Sequence, residues 1–152
     1  MRVIGIDPGT LHAGYGVVEE LSGGYRCVAS GSIDASGPDV ATRLVTIFEG
    51  LSLAIQRYQP EEAAVETVFA GNNVKTAIVI GEARGVALLA AARAGVAVTG
   101  YEPSVIKRAV ASNGKATKEQ VQRMIQILLG LPQLPPTDHE ADALAMAITH
   151  LR

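Results

Sequence analysis

Residues 2–16 read RVIGIDPGTLHAGYG, and their pattern sets the architecture. Val3, Ile4 and Ile6 form a short apolar run broken by Gly5. The run stops at Asp7, and Pro8-Gly9-Thr10 turns the chain. Gly14 to Val18 read as a return strand. Short apolar runs bounded by Pro and Gly predict a buried hairpin. Asp7 then falls at the end of a central strand. A carboxylate there has two uses. It can initiate the turn by bonding a nearby backbone N–H. It can also hold a metal or a phosphate, because an unpaired buried charge is costly. The stretch alone leaves both open.

Outward from the hairpin, Gly23-Gly24 leads into a third strand, Tyr25 to about Ser32, which makes a meander. Gly37-Pro38-Asp39 opens a helix with Pro near its first turn. Val40, Leu44, Ile47, Phe48, Leu51 and Ile55 follow at helical spacing, and Pro60 ends it. Ala63-Ala64-Val65 is a short strand ending at Glu66, followed by a loop that holds Phe69. An Ala-rich helix runs from about Val74 to Ala94, where Gly81 and Gly85 cost propensity but let another backbone pack closely. Val96 to Tyr101 is a further strand, and Glu102-Pro103 starts a short helix carrying Lys107 and Arg108. Thr117…Gln120 and Thr137…Glu140 both have the capping-box form and open the last two helices. A meander followed by alternating helix and strand predicts one α/β domain over residues 1–152, with a mixed five-stranded sheet flanked by helices.

Composition narrows the class. The chain has 152 residues, enough for one good core, and at 48% hydrophobic and 18% charged it is not a disordered type. The single Cys27 excludes an internal disulfide and fits a reducing compartment. No signal peptide or membrane-length apolar run is visible, so a cytoplasmic protein with no membrane partner is expected. The net charge of −2 argues against a generally basic nucleic-acid binder. The distribution argues the other way. Residues 75–123 carry eight basic residues, from Lys75 to Arg123, against Glu82, Glu102 and Glu119. Segregated charge of this kind makes either a polyanion-binding face or a set of solvated helix surfaces.

Asp7 and Glu66 both end apolar strands, while His139 and Asp142 lie three apart on the last helix and share a face. A helix docked across the sheet would bring the four together. Converging carboxylates repel unless cations neutralise them, and oxygen ligands suit hard ions such as Mg²⁺ or Mn²⁺. Two such ions support in-line displacement at phosphorus. Each residue also has a plainer use: Glu66 as a surface carboxylate and His139 as an ordinary N-terminal helix residue. Asp138 suits the helix dipole better than a metal. His12 and His150 join no constellation and read as structural.

Five segments carry a family resemblance. GIDPGT (5–10), GYG (14–16), ETVF (66–69), GEARG (81–85) and ADALAMAITH (141–150) together resemble the RuvC-type Holliday junction resolvases, in order through nearly the whole chain. The resemblance implies a ribonuclease-H-like fold and a homodimer. It implies a nuclease using Mg²⁺ or Mn²⁺, two ions per site, that nicks opposed strands of a four-way DNA junction. It implies partnership with a branch-migration complex, the RuvA and RuvB proteins. The family's acidic site falls on Asp7, Glu66 and Asp142, and its fourth position on His139, where many members carry Asp. Its catalytic or DNA-contacting lysines fall on Lys107 and Lys118, and its junction-centre aromatic on Phe69. Three other functions remain compatible with the residues. They are a ribonuclease acting on RNA–DNA hybrids, an ATP-binding domain of the actin-like and sugar-kinase type, and a junction-binding protein with a degraded catalytic site.

Overall fold

The computed structural model describes residues 1–67 and 71–152. Val68, Phe69 and Ala70 fall outside the described residues, and with them the expected junction-centre aromatic. The sheet comprises β1 (Arg2–Asp7), β2 (His12–Leu21), β3 (Gly24–Asp34), β4 (Glu62–Glu66) and β5 (Ala97–Tyr101), in the order β3-β2-β1-β4-β5. β1 pairs antiparallel with β2 and parallel with β4, which pairs parallel with β5. The mixed five-stranded sheet is as expected, and β1 lies at its centre.

Helices cover both faces. α1 (Val40–Tyr58) and α2 (Val74–Arg93) cover one, burying Ile4, Ile6, Val17, Ile47, Leu51 and Ala91. α3 (Pro103–Ala111), α4 (Lys118–Leu129) and α5 (Asp138–Leu151) cover the other, over Val3, Val18, Ala64, Ile125, Leu144 and Met146. Strand side chains alternate between faces. Ile4 and Ile6 therefore face α1, while Val3, Gly5 and Asp7 face α5.

Pro38 stands beside the first turn of α1, one residue before the N-cap Asp39, which accepts from the Thr42 N–H at 2.7 Å. Thr117 and Gln120 form the full capping box expected at α4, of a kind that contributes about 1 kcal/mol. At α5 only half of it forms. Thr137 Oγ1 accepts from the Glu140 N–H at 3.1 Å, but the Glu140 carboxylate turns inward. It accepts from the hydroxyls of Thr137 and Ser30, at 3.0 Å each, and is buried. That carboxylate ties the first turn of α5 to β3.

Glycines set how close α5 lies. A Cβ on Gly5 would collide with the Ala143 carbonyl oxygen, and one on Gly14 with the His139 carbonyl oxygen. Both contacts are to helix backbone, so α5 rests directly on β1 and β2. Gly5, an interruption in the apolar run, is the seat of the last helix.

Candidate active site

β1 and β4 run parallel with Ile6 beside Val65, so Asp7 and Glu66 leave the sheet side by side at the same edge. α5 crosses above them. Its first turns put His139 Nδ1 2.8 Å from Asp7 Oδ2. Asp142 lines a cleft of about 250 Å³ with Glu66, Lys107 and Lys118, floored by Ile106, Ala145 and Met146. A larger open groove of about 570 Å³ lies between the C-terminal ends of α1 and α2, away from the carboxylates, with Arg93 its one charged lining residue.

The carboxylates hold their protons more tightly than in water. Burial, followed by the charge of Asp7, pushes Asp142 up to about 6, with Lys118 opposing. Burial raises Glu66, and the charges of Asp7 and Asp142 add to it, against Lys107 and Lys118. Burial also raises Asp7, only partly offset by the hydrogen bond and charge of His139 and the charge of Lys118. Burial alone would lower Lys118; Asp142, Asp138 and Asp7 outweigh it and raise it. Lys118 Nζ sits 3.7 Å from Asp142 Oδ2 and 3.3 Å from Asp138 Oδ2. Asp138 also accepts from Gln122 Nε2 at 2.8 Å, so it faces α4.

Among the described residues, no three His, Cys, Asp or Glu side chains close on one point at metal-ligating geometry. The donor chemistry nevertheless fits a hard divalent cation. Three part-buried carboxylates repel one another, and among the described residues the charges of Lys118 and Lys107 and the hydrogen bond of His139 oppose that repulsion. A neutral His139 donating from Nδ1 to an ionised Asp7 would present the Nε2 lone pair, the form in which imidazole ligates.

The family model "Crossover junction endodeoxyribonuclease RuvC" matches residues 3–150. The chain belongs to the RuvC family. A RuvC of Moorella thermoacetica is 50% identical over 151 residues, which is 99% of this chain and 90% of that protein. A RuvC of Chloroflexus aggregans is 49% identical over 99% of this chain and 92% of its own. The solved T. thermophilus RuvC in complex with Holliday junction substrate superposes with a TM-score of 0.93 at 38% identity, covering 99% of this chain and 93% of that one. The ribonuclease-H-like fold of the RuvC resolvases is therefore the fold of this chain.

Two histidines read as structural turn out differently. His150, on the last turns of α5, contacts Glu62 Oε2 at 2.5 Å and the Tyr101 hydroxyl at 2.9 Å, a structural tie between α5 and the sheet. His12 instead reaches the site: its ring stacks on His139 with centroids 5.7 Å apart. No local pattern predicts that, because it depends on the hairpin register that sets Gly14 opposite Asp7.

Proposed function

We propose that the chain resolves four-way (Holliday) DNA junctions by paired, symmetric nicks, as a homodimer with Mg²⁺ or Mn²⁺ held by Asp7, Glu66, His139 and Asp142. The observation that carries this is α5 crossing the strand ends. It sets His139 2.8 Å from Asp7 and puts Asp142 in one cleft with Glu66, Lys107 and Lys118. Two bound cations would activate a water and stabilise the leaving oxygen at phosphorus. The chain's own residues do the rest. Asp7, Glu66 and Asp142 concentrate negative charge, which favours cation capture. Lys107 and Lys118 stand at the cleft wall, where ammonium groups hold a phosphate and offset developing charge. A cation held by Asp142 would weaken its 3.7 Å contact with Lys118, leaving the ammonium group anchored at 3.3 Å by Asp138 at the cleft wall, where it could meet a phosphate.

The test is cleavage of a four-way junction, an RNA–DNA hybrid and a linear duplex, each with Mg²⁺, Mn²⁺ or a chelator. Paired nicks on the junction alone, abolished by the chelator, are expected. Hybrid cleavage without junction cleavage would overturn the reading in favour of a ribonuclease, and junction binding without cleavage would favour a degraded site. Lys118→Ala is expected to slow junction cleavage about 10- to 100-fold, with a smaller loss of affinity; an unchanged rate would return Lys118 to the surface.

A junction with two-fold symmetry calls for two sites related by a two-fold axis. Val74, Ile78, Gly81, Gly85 and Leu89 lie along one side of α2, and all five are exposed in the single chain. A Cβ added at Gly81 or Gly85 meets nothing within 4 Å. This apolar stripe with glycines at its middle suits the same helix of a second copy. Gly85→Leu is expected to convert the dimer to a monomer by light scattering, with the fold retained by circular dichroism, and to abolish paired nicking. A Gly85→Leu dimer of wild-type affinity would move the interface elsewhere. Junction resolution also implies handover from branch migration, so the RuvA and RuvB proteins are proposed as partners, testable by co-assembly on a junction.

A further inference from the structure

His12 opens β2 beside the site and is held from behind. Its Nδ1 lies 2.8 Å from Asp34 Oδ1, across the β2–β3 pair in which these two residues are register partners. Asp34 Oδ1 also accepts from Ser32 Oγ at 3.2 Å. The His12 hydrogen bond, then that of Ser32, holds the Asp34 carboxyl below its usual range, so it is ionised and accepts while His12 donates from Nδ1. The ring so fixed lies against His139, with 5.7 Å between centroids and 27° between planes. The other constraint on His139 is its own contact with Asp7. Its side chain is otherwise 42% exposed, so turning the ring about Cβ–Cγ costs that one hydrogen bond and the contact with the His12 ring.

We infer that His12, clamped by Asp34, is a positioning residue for His139: a flat wall that fixes the plane of the imidazole bonded to Asp7. An Asp in place of His139 would have no ring to support. The Ser32–Asp34–His12 chain thus serves a site whose fourth ligand position is a histidine. The inference rests on the nuclease reading above for its kinetic consequence, and on geometry alone for the ring contact.

The experiment compares single-turnover junction cleavage by wild type, His12→Ala, His12→Phe and Asp34→Asn, and repeats His12→Ala in a His139→Asp background. Junction affinity is measured in parallel. His12→Ala is expected to slow cleavage about 10-fold, the size typical of a lost ligand-orienting contact, with affinity within about two-fold. Asp34→Asn should fall between it and wild type. His12→Phe keeps a flat ring and should recover most of the rate. In the His139→Asp background His12→Ala should change the rate by less than about two-fold, because positioning through His139 makes the two changes non-additive. Equal losses in both backgrounds, or no loss in wild type, would overturn the assignment. A second readout needs no activity. In metal-free protein, NMR should show ring-to-ring NOEs between His12 and His139 and a shift of the His139 ring signals on His12→Phe or His12→Ala. Absence of the NOEs would overturn the contact even if His139→Asp proves inactive. Failure of wild type to cleave any junction would count against the nuclease reading, while the NOEs would still decide the ring contact.

Discussion

Asp7→Asn is expected to lower junction cleavage by at least about 10³-fold while leaving junction affinity within about two-fold. Asn keeps the size of Asp and can still accept the His139 N–H through its amide oxygen, so α5 stays docked. What is lost is charge. Asp7 is the one carboxylate whose field reaches both Glu66 and Asp142, at the centre of the cluster. If Asp7 holds a cation as proposed, its loss would remove several kcal/mol of transition-state stabilisation, and about 4 kcal/mol is a thousandfold in rate. On the proposed reading, affinity would come from elsewhere, through contacts between phosphates and the basic residues of α3 and α4. Single-turnover rates in Mg²⁺ and Mn²⁺, with binding measured in a chelator, separate the two. A rate within tenfold of wild type would remove Asp7 from the metal set.

The same substitution has a signature without metal. Asp142 is raised to about 6 by burial first and by Asp7 second, so Asp7→Asn should bring its pKa down toward 3.8, as read by carboxyl-carbon NMR. An acid with a raised pKa binds its proton more tightly folded than unfolded. Its protonated form therefore stabilises the metal-free fold fully below the unfolded value of 3.8, and that contribution is lost as pH rises through about 6. Asp7→Asn should flatten that part of the stability profile.

The sheet was legible where the chain signals locally. A short apolar run ended by Asp7 and a Pro-Gly turn marks β1, and short Gly-containing turns order β3, β2 and β1 as a meander. Asp7 and Glu66 stood out as carboxylates at the ends of apolar runs, a pattern that needs no tertiary knowledge. Three features were not legible because they depend on contacts far apart in sequence. His12 meets His139 only through the hairpin register and the docking of α5. Glu140 carries the letter of a capping box, yet Ser30 on β3 draws its carboxylate inward. Asp138 is held by Lys118 and Gln122 on a different helix. Each is a case of a distant partner outbidding a local motif, and each surrounds the first turns of α5.

Gly5→Ala is the change expected to disturb α5 most, although it adds a single methyl and alters no charge. A Cβ at Gly5 would overlap the Ala143 carbonyl oxygen and stand 2.9 Å from both Ala143 C and Ala147 N. All three are helix backbone, so no side-chain rotation relieves them. Either β1 bows or α5 lifts, and lifting α5 loosens Leu144, Met146 and Ile148, all buried. Overpacking ordinarily costs 1–3 kcal/mol when side chains can yield, and a rigid contact places this one at about 3 kcal/mol or above. In a chain of this length each kcal/mol shifts Tm by roughly 2–4 °C, so a fall on the order of 10 °C is expected. Cleavage should fall as well at temperatures where the fold persists, because His139 and Asp142 move with α5 while Asp7 and Glu66 stay on the sheet. Gly24→Ala is the control. Its Cβ meets nothing within 4 Å at the exposed start of β3, away from α5 and from the proposed α2 interface, so Tm should stay within about 2 °C of wild type. A Gly5→Ala protein melting within about 2 °C of wild type would mean that α5 does not rest on β1 as closely as this geometry requires.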